Sequence, residues 1–129
     1  MGLRSLIAHL EQATEPARPL EGAIGLLMGW KRKVDYVRVP GQTAPARKVS
    51  WYVPDGDAPG RVPEFTASID EAWKLAKMVA PGCFGGVTWH GDHARAQIND
   101  GPVCLGSTPA IAICIAALRA KLEQEGDED

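Results

Sequence analysis

Two groups of side chains in this 129-residue chain have the types and spacing that chemistry asks for. His90-Gly91-Asp92-His93 gathers two imidazoles and a carboxylate, donors suited to zinc or manganese. A catalytic zinc needs three protein ligands fixed by outer partners, and a solvent-exposed turn seldom holds them rigidly. The plainer reading of His90, Asp92 and His93 is therefore a polar hairpin tip, with a metal-dependent enzyme as an alternative. The second group is basic and aromatic: Lys31-Arg32-Lys33, Arg38 and Arg47-Lys48 stand near Trp30, Tyr36, Trp51 and Tyr52. Cations can follow a phosphate backbone while aromatic rings stack on bases. Lys31, Arg32, Lys33, Arg47, Lys48 and Trp51 are thus the candidate binding residues for a nucleic acid or nucleotide. Against this, Trp30 and Tyr36 fit a core, and basic residues flanking a strand are commonly its solvated edge.

Other reactive groupings fail on placement. Gly82-Cys83-Phe84-Gly85-Gly86 is glycine-rich but precedes a strand, whereas a phosphate loop follows one and opens a helix. Gly106-Ser107-Thr108-Pro109 has the strand-to-helix order but lacks the lysine and spaced glycines, and Ser107 is in no Gly-x-Ser-x-Gly elbow. A nucleophilic cysteine needs an exposed thiolate beside a histidine. Cys83 is the one candidate, and nothing in the spacing brings it to His90. The sequence thus assigns no catalytic residue and no cofactor, and the chain is read as a non-enzyme.

Composition sets the frame. Hydrophobic residues make up 45% and charged residues 23%, an ordinary globular balance. A formal net charge of −2 gives no whole-molecule field that draws in polyanions, so any such site is local. Cys83, Cys104 and Cys114 lack Cys-x-x-Cys spacing and suit a reducing compartment, so a cytoplasmic location is expected. The N-terminus lacks a signal-peptide pattern, and the longest apolar stretch, 109–118, is half of a bilayer span. No membrane partner is expected.

The elements that must carry these groups can be read from periodicity. Leu3, Leu6, Ile7 and Leu10 mark a helix over 2–13, and Leu20, Ala23, Ile24 and Leu27 a weaker second one ending near Trp30. Alternation predicts a strand over 33–39, and 49–53 suits a short strand within a proline-rich, mostly irregular connection at 40–65. Ser68-Ile69-Asp70-Glu71 reads as a capping box opening a helix with Ile69, Ala72, Trp73, Ala76 and Val79 inside. Strands follow at 84–90, 93–98 and 103–105, turning at Gly91-Asp92 and Asp100-Gly101. Thr108-Pro109 opens the last helix, with Ile111, Ile115, Leu118 and Leu122 on its apolar face. The pattern predicts an α+β fold: a three-layer α/β/α sandwich with a mainly antiparallel, four- or five-stranded sheet flanked by helices. One domain over 1–125 would end in an acidic, frayed tail at 126–129.

Three stretches carry a family resemblance. They are Leu6-Ile7-Ala8-His9-Leu10-Glu11-Gln12-Ala13-Thr14 with Ala23-Ile24 and Gly29-Trp30; Phe65-Thr66-Ala67-Ser68-Ile69-Asp70-Glu71-Ala72; and Ala94-Arg95-Ala96 leading to Thr108-Pro109-Ala110 and Ala116-Ala117-Leu118-Arg119-Ala120. Together they resemble the phage α-β-α sandwich domain proteins. The resemblance implies that sandwich fold and a phage or prophage setting, and it implies no reaction and no site residue. The expected function is a phage accessory protein that binds a host protein or complex, inhibition of a bacterial defence system being one form. The proline-rich 40–65 connection and the acidic tail are its expected surfaces. Nucleic-acid binding through 31–48 and a metal enzyme at His90 and His93 are the alternatives.

Overall fold

Leu3, Leu6, Ile7 and Leu10 form the buried stripe of α1 (Leu3–Gln12), as their spacing requires. α2 (Arg18–Leu27) follows. The computed structural model describes residues 1–126, so Asp127, Glu128 and Asp129 of the expected acidic tail lie outside the described residues. The chain divides into two compact units, one formed by Met1–Ile24 with Pro63 onward, the other by Gly25–Val62.

In the first unit, the Ser68 hydroxyl accepts from the Glu71 amide at 3.2 Å and starts α3 (Ile69–Val79). The reciprocal half of the capping box is replaced, because the Glu71 carboxylate takes the Lys74 ammonium at 3.2 Å. β3 (Gly85–His90) and β4 (His93–Ile98) form a hairpin whose turn uses Gly91 at φ 62°, a conformation open to glycine. At the next turn the left-handed residue is Asn99 at φ 52°, not Asp100 or Gly101. β5 (Cys104–Gly106) pairs antiparallel with β4.

Thr108 caps α4 (Pro109–Gln124) by accepting from the Ile111 amide at 3.2 Å. Every residue at 110–118 is buried, because α4 lies on the sheet face bearing Ala94, Ala96 and Ile98 while α1 and α3 pack against it. Arg119 and Glu11 join α4 to α1 through a 2.6 Å hydrogen-bonded ion pair. The opposite sheet face, with His93, Arg95 and Gln97, is exposed.

The Ser107 hydroxyl, buried where β5 passes into α4, finds no hydrogen-bond partner among the described residues. An orphaned buried hydroxyl costs about 1–3 kcal/mol, so Ser107→Ala is expected to leave stability unchanged or raise it by about 1 kcal/mol in urea unfolding.

The second unit is built on β1 (Lys31–Val37) and β2 (Ala46–Tyr52), paired antiparallel from Lys31 opposite Tyr52 to Val37 opposite Ala46. The returning chain is tied to β2 and its end, with Gly60 N–H donating to Trp51 O at 2.9 Å and Val53 N–H to Ala58 O at 3.0 Å. Half-buried Trp30 packs here, and a Cβ on Gly60 would come within 3.1 Å of its ring.

The α+β class stands, and the sandwich is corrected. Among the described residues, five strands form two antiparallel sheets, β1-β2 and β3-β4-β5, instead of one. The physical reason lies in the residues: β1 and β2 carry charge on both faces, which leaves no apolar face to bury in a larger sheet. The helices that pack with β3-β4-β5 lie on one of its faces, so a second helical layer on that sheet is absent among the described residues.

Candidate functional site

Alternation along β1 and β2 sorts their side chains onto two faces. One face holds three cross-strand pairs in a ladder: Arg32 with Trp51, Val34 with Val49, and Tyr36 with Arg47. The other holds Lys31, Lys33 and Lys48, with Asp35 opposite Lys48. The Arg32 guanidinium lies 6.0 Å from the centroid of the Trp51 ring, within cation–π range. Tyr36 is 70% exposed, so its expected place in a core is overturned: strand period two turns it outward beside Arg47.

The cations differ in how far they are already neutralised. The Lys31 ammonium donates to Gly56 O at 2.7 Å and lies 3.7 Å from the Asp57 carboxylate. Lys33 stands 4.0 Å from Asp35. Among the described residues no carboxylate pairs with Arg32, Arg38, Arg47 or Lys48. By sequence, Gly25–Val62 holds seven Lys and Arg against three Asp and Glu, a formal +4, which leaves −6 on the remainder of the chain. The net charge of −2 hides this separation.

Five of the six candidate binding residues, Arg32, Arg47, Trp51, Lys33 and Lys48, thus meet on the two faces of one short ribbon, and Lys31 is partly spent on its own loop. Tyr36 is the member that sequence reasoning placed wrongly. Its signal was available, since Tyr36 alternates with Asp35 and is followed by Val37 and Arg38, a pattern too polar for a buried strand.

The histidine hairpin supplies less. His90 and His93 face each other with ring centroids 5.8 Å apart, and the His93 Nδ1 lies 3.6 Å from the Asp92 carboxylate. Among the described residues no three His, Cys, Asp or Glu side chains converge as a metal site. Burial raises the thiol pKa values of Cys104 and Cys114, and Cys114 donates to Phe65 O at 3.2 Å, so both are held as packed thiols. A cleft of about 470 Å³ near Asn99, Asp100 and Glu123 has its amides already engaged: Asn99 Oδ1 accepts from Phe84 N–H and Gln124 Nε2 donates to Val79 O.

Sequence reasoning missed the most tightly built polar cluster. Glu21, 1% exposed, accepts from the Thr66 amide at 3.0 Å and the Thr66 hydroxyl at 2.7 Å, while Arg18 donates to its other oxygen at 2.7 Å. Thr66 Oγ1 in turn accepts from the Ala17 amide at 3.0 Å. Glu21 and Thr66 are buried while Arg18 stands half exposed at the rim, which makes the cluster a structural clasp. No described helix is long and apolar enough to cross a membrane. Comparison with known protein families, characterised proteins and solved structures finds no match for the chain.

Proposed function

We propose that the protein acts by binding and that the β1-β2 ribbon is its recognition surface for single-stranded nucleic acid. The observation that carries this is the ladder Arg32–Trp51, Val34–Val49, Tyr36–Arg47, with arginines that no carboxylate neutralises among the described residues, set in a +4 segment. Unneutralised guanidinium groups meet phosphates, and the exposed phenol and half-exposed indole offer faces on which bases stack in any sequence. A phage-encoded accessory role, which the sequence resemblance implies, is the setting proposed for this activity. The location proposed is the cytoplasm.

A second reading shares the same surface. Tyr, Trp and Arg are also the residues that anchor protein interfaces, so an acidic host protein is the competing partner. Fluorescence anisotropy with a labelled single-stranded oligonucleotide separates the two. Binding is expected to weaken steeply between about 50 and 200 mM salt. Trp51→Ala or Tyr36→Ala should each cost roughly 1–3 kcal/mol of affinity. The combined Lys31→Ala, Arg32→Ala, Lys33→Ala variant should flatten the salt slope by about 2, Lys31 contributing least. Absence of binding at low salt, or binding indifferent to all these changes, defeats the nucleic-acid reading. A stoichiometric complex retained from nuclease-treated host lysate, lost on Tyr36→Ala, supports the protein partner instead.

A further inference from the structure

Among the described residues β3 is an edge strand, bonded to β4 on one side only. Asn99 N–H donates to Phe84 O at 2.7 Å, which fixes the parity of the ladder: Phe84, Gly86, Thr88 and His90 bond toward β4. The amides and carbonyls of Gly85, Val87 and Trp89 therefore point away, to the free edge. Protein edges are commonly guarded by lysine, proline or a bulge. Gly85-Gly86-Val87-Thr88-Trp89-His90 has no Asp, Glu, Lys, Arg or Pro, and its register against β4 is unbroken.

Beside this edge, Ile69, Trp73, Val87 and Ile113 surround a groove of about 210 Å³ whose floor includes Gly85 and Gly86, where side chains are missing. Trp89, on the same sheet face as Val87, is 64% exposed. The strand thus has a hollow at one end and a bulky ring at the other.

We propose that β3 pairs antiparallel, about a two-fold axis at Val87, with β3 of a second copy of this chain. This register sets Val87 against Val87 of the other copy and Gly85 against its Trp89, both as hydrogen-bonded pairs, so the outward amides and carbonyls of the two edges satisfy each other. It also carries each indole over the partner's glycines and into the groove, the cross-strand Trp-on-Gly arrangement by which an aromatic ring covers an edge glycine. The absence of formal charge on the strand lets identical edges meet without repulsion. The result is a continuous six-stranded sheet, and it rests on nothing in the β1-β2 ribbon.

Sedimentation equilibrium and oxidative cross-linking test the pairing. The protein should be dimeric at about 100 μM, and Trp89→Lys should weaken the dimer at least about tenfold with an unaltered circular dichroism spectrum. In a Cys83→Ser background, Val87→Cys should cross-link two copies under mild oxidation, because directly opposed hydrogen-bonded residues have Cα atoms about 5.5 Å apart, within disulfide reach. Thr88→Cys in the same background should cross-link poorly, since Thr88 lies opposite Gly86. A monomer at this concentration overturns the proposal, as does a dimer in which Val87→Cys fails to cross-link or Thr88→Cys cross-links equally well.

Discussion

Glu21→Ala is expected to destabilise the protein by about 3–5 kcal/mol, the cost of orphaning the buried Thr66 amide and hydroxyl and opening a void, while half-exposed Arg18 returns to water. The carboxylate satisfies the Thr66 amide, the Thr66 hydroxyl and the Arg18 guanidinium, and at 1% exposure no water replaces it. Alanine would leave the Thr66 amide buried and unpaired, and would open a void where the side chain was. Glu21→Gln keeps the shape and one acceptor, so its cost should be smaller, about 1–2 kcal/mol. Thermal unfolding should show a fall of roughly 10–20 °C for the alanine variant. A loss below about 1 kcal/mol would mean that the clasp contributes little to the folded state.

Gly106→Ala is expected to be comparably severe, about 3 kcal/mol. A Cβ on Gly106 would stand 2.7 Å from the Ala112 amide nitrogen and 2.9 Å from its Cα. These are backbone atoms inside α4, buried among its neighbours, and they cannot swing aside as a flexible side chain would. Gly86→Ala is the matched control: the same strand chemistry, with nothing within 4 Å of the new methyl group, so stability should hold to within about 0.5 kcal/mol. Urea unfolding of the pair decides the matter, and equal effects would refute the close-approach argument.

The sequence was most legible where the signal is local. Ser68 and Thr108 cap the helices they were expected to cap, because an N-cap needs only its own hydroxyl and an amide three residues on. The hairpin strands at 85–90 and 93–98 likewise follow from alternation around Gly91. Which face a helix buries was less legible. Ile69 and Trp73 were assigned inside α3, yet Ile69 is exposed and Leu75 is buried in full, since the partner α4 selects the face.

What failed altogether was long-range pairing. Neither the split into two sheets nor the clasp between Glu21 and Thr66, 45 residues apart, leaves a mark in any short window. The basic candidates were found by composition, and their ladder could not be: Arg32 meets Trp51 and Tyr36 meets Arg47 through a register that only the folded hairpin defines.

The packing of α1 on α4 sets the order of events during synthesis. Leu3, Leu6, Ile7 and Leu10 leave the ribosome well before the helix they lie against, at 109–124, which is translated about a hundred residues later. At elongation rates of roughly 5–20 residues per second, this stripe waits on the order of ten seconds with no partner. Meanwhile α3, β3 and β4 are close in sequence and have already emerged, but the helix that unites them is also still missing. The newborn chain is therefore a client for whatever shields apolar segments at the tunnel exit, and its N-terminal helix is the stretch such a guardian would hold longest.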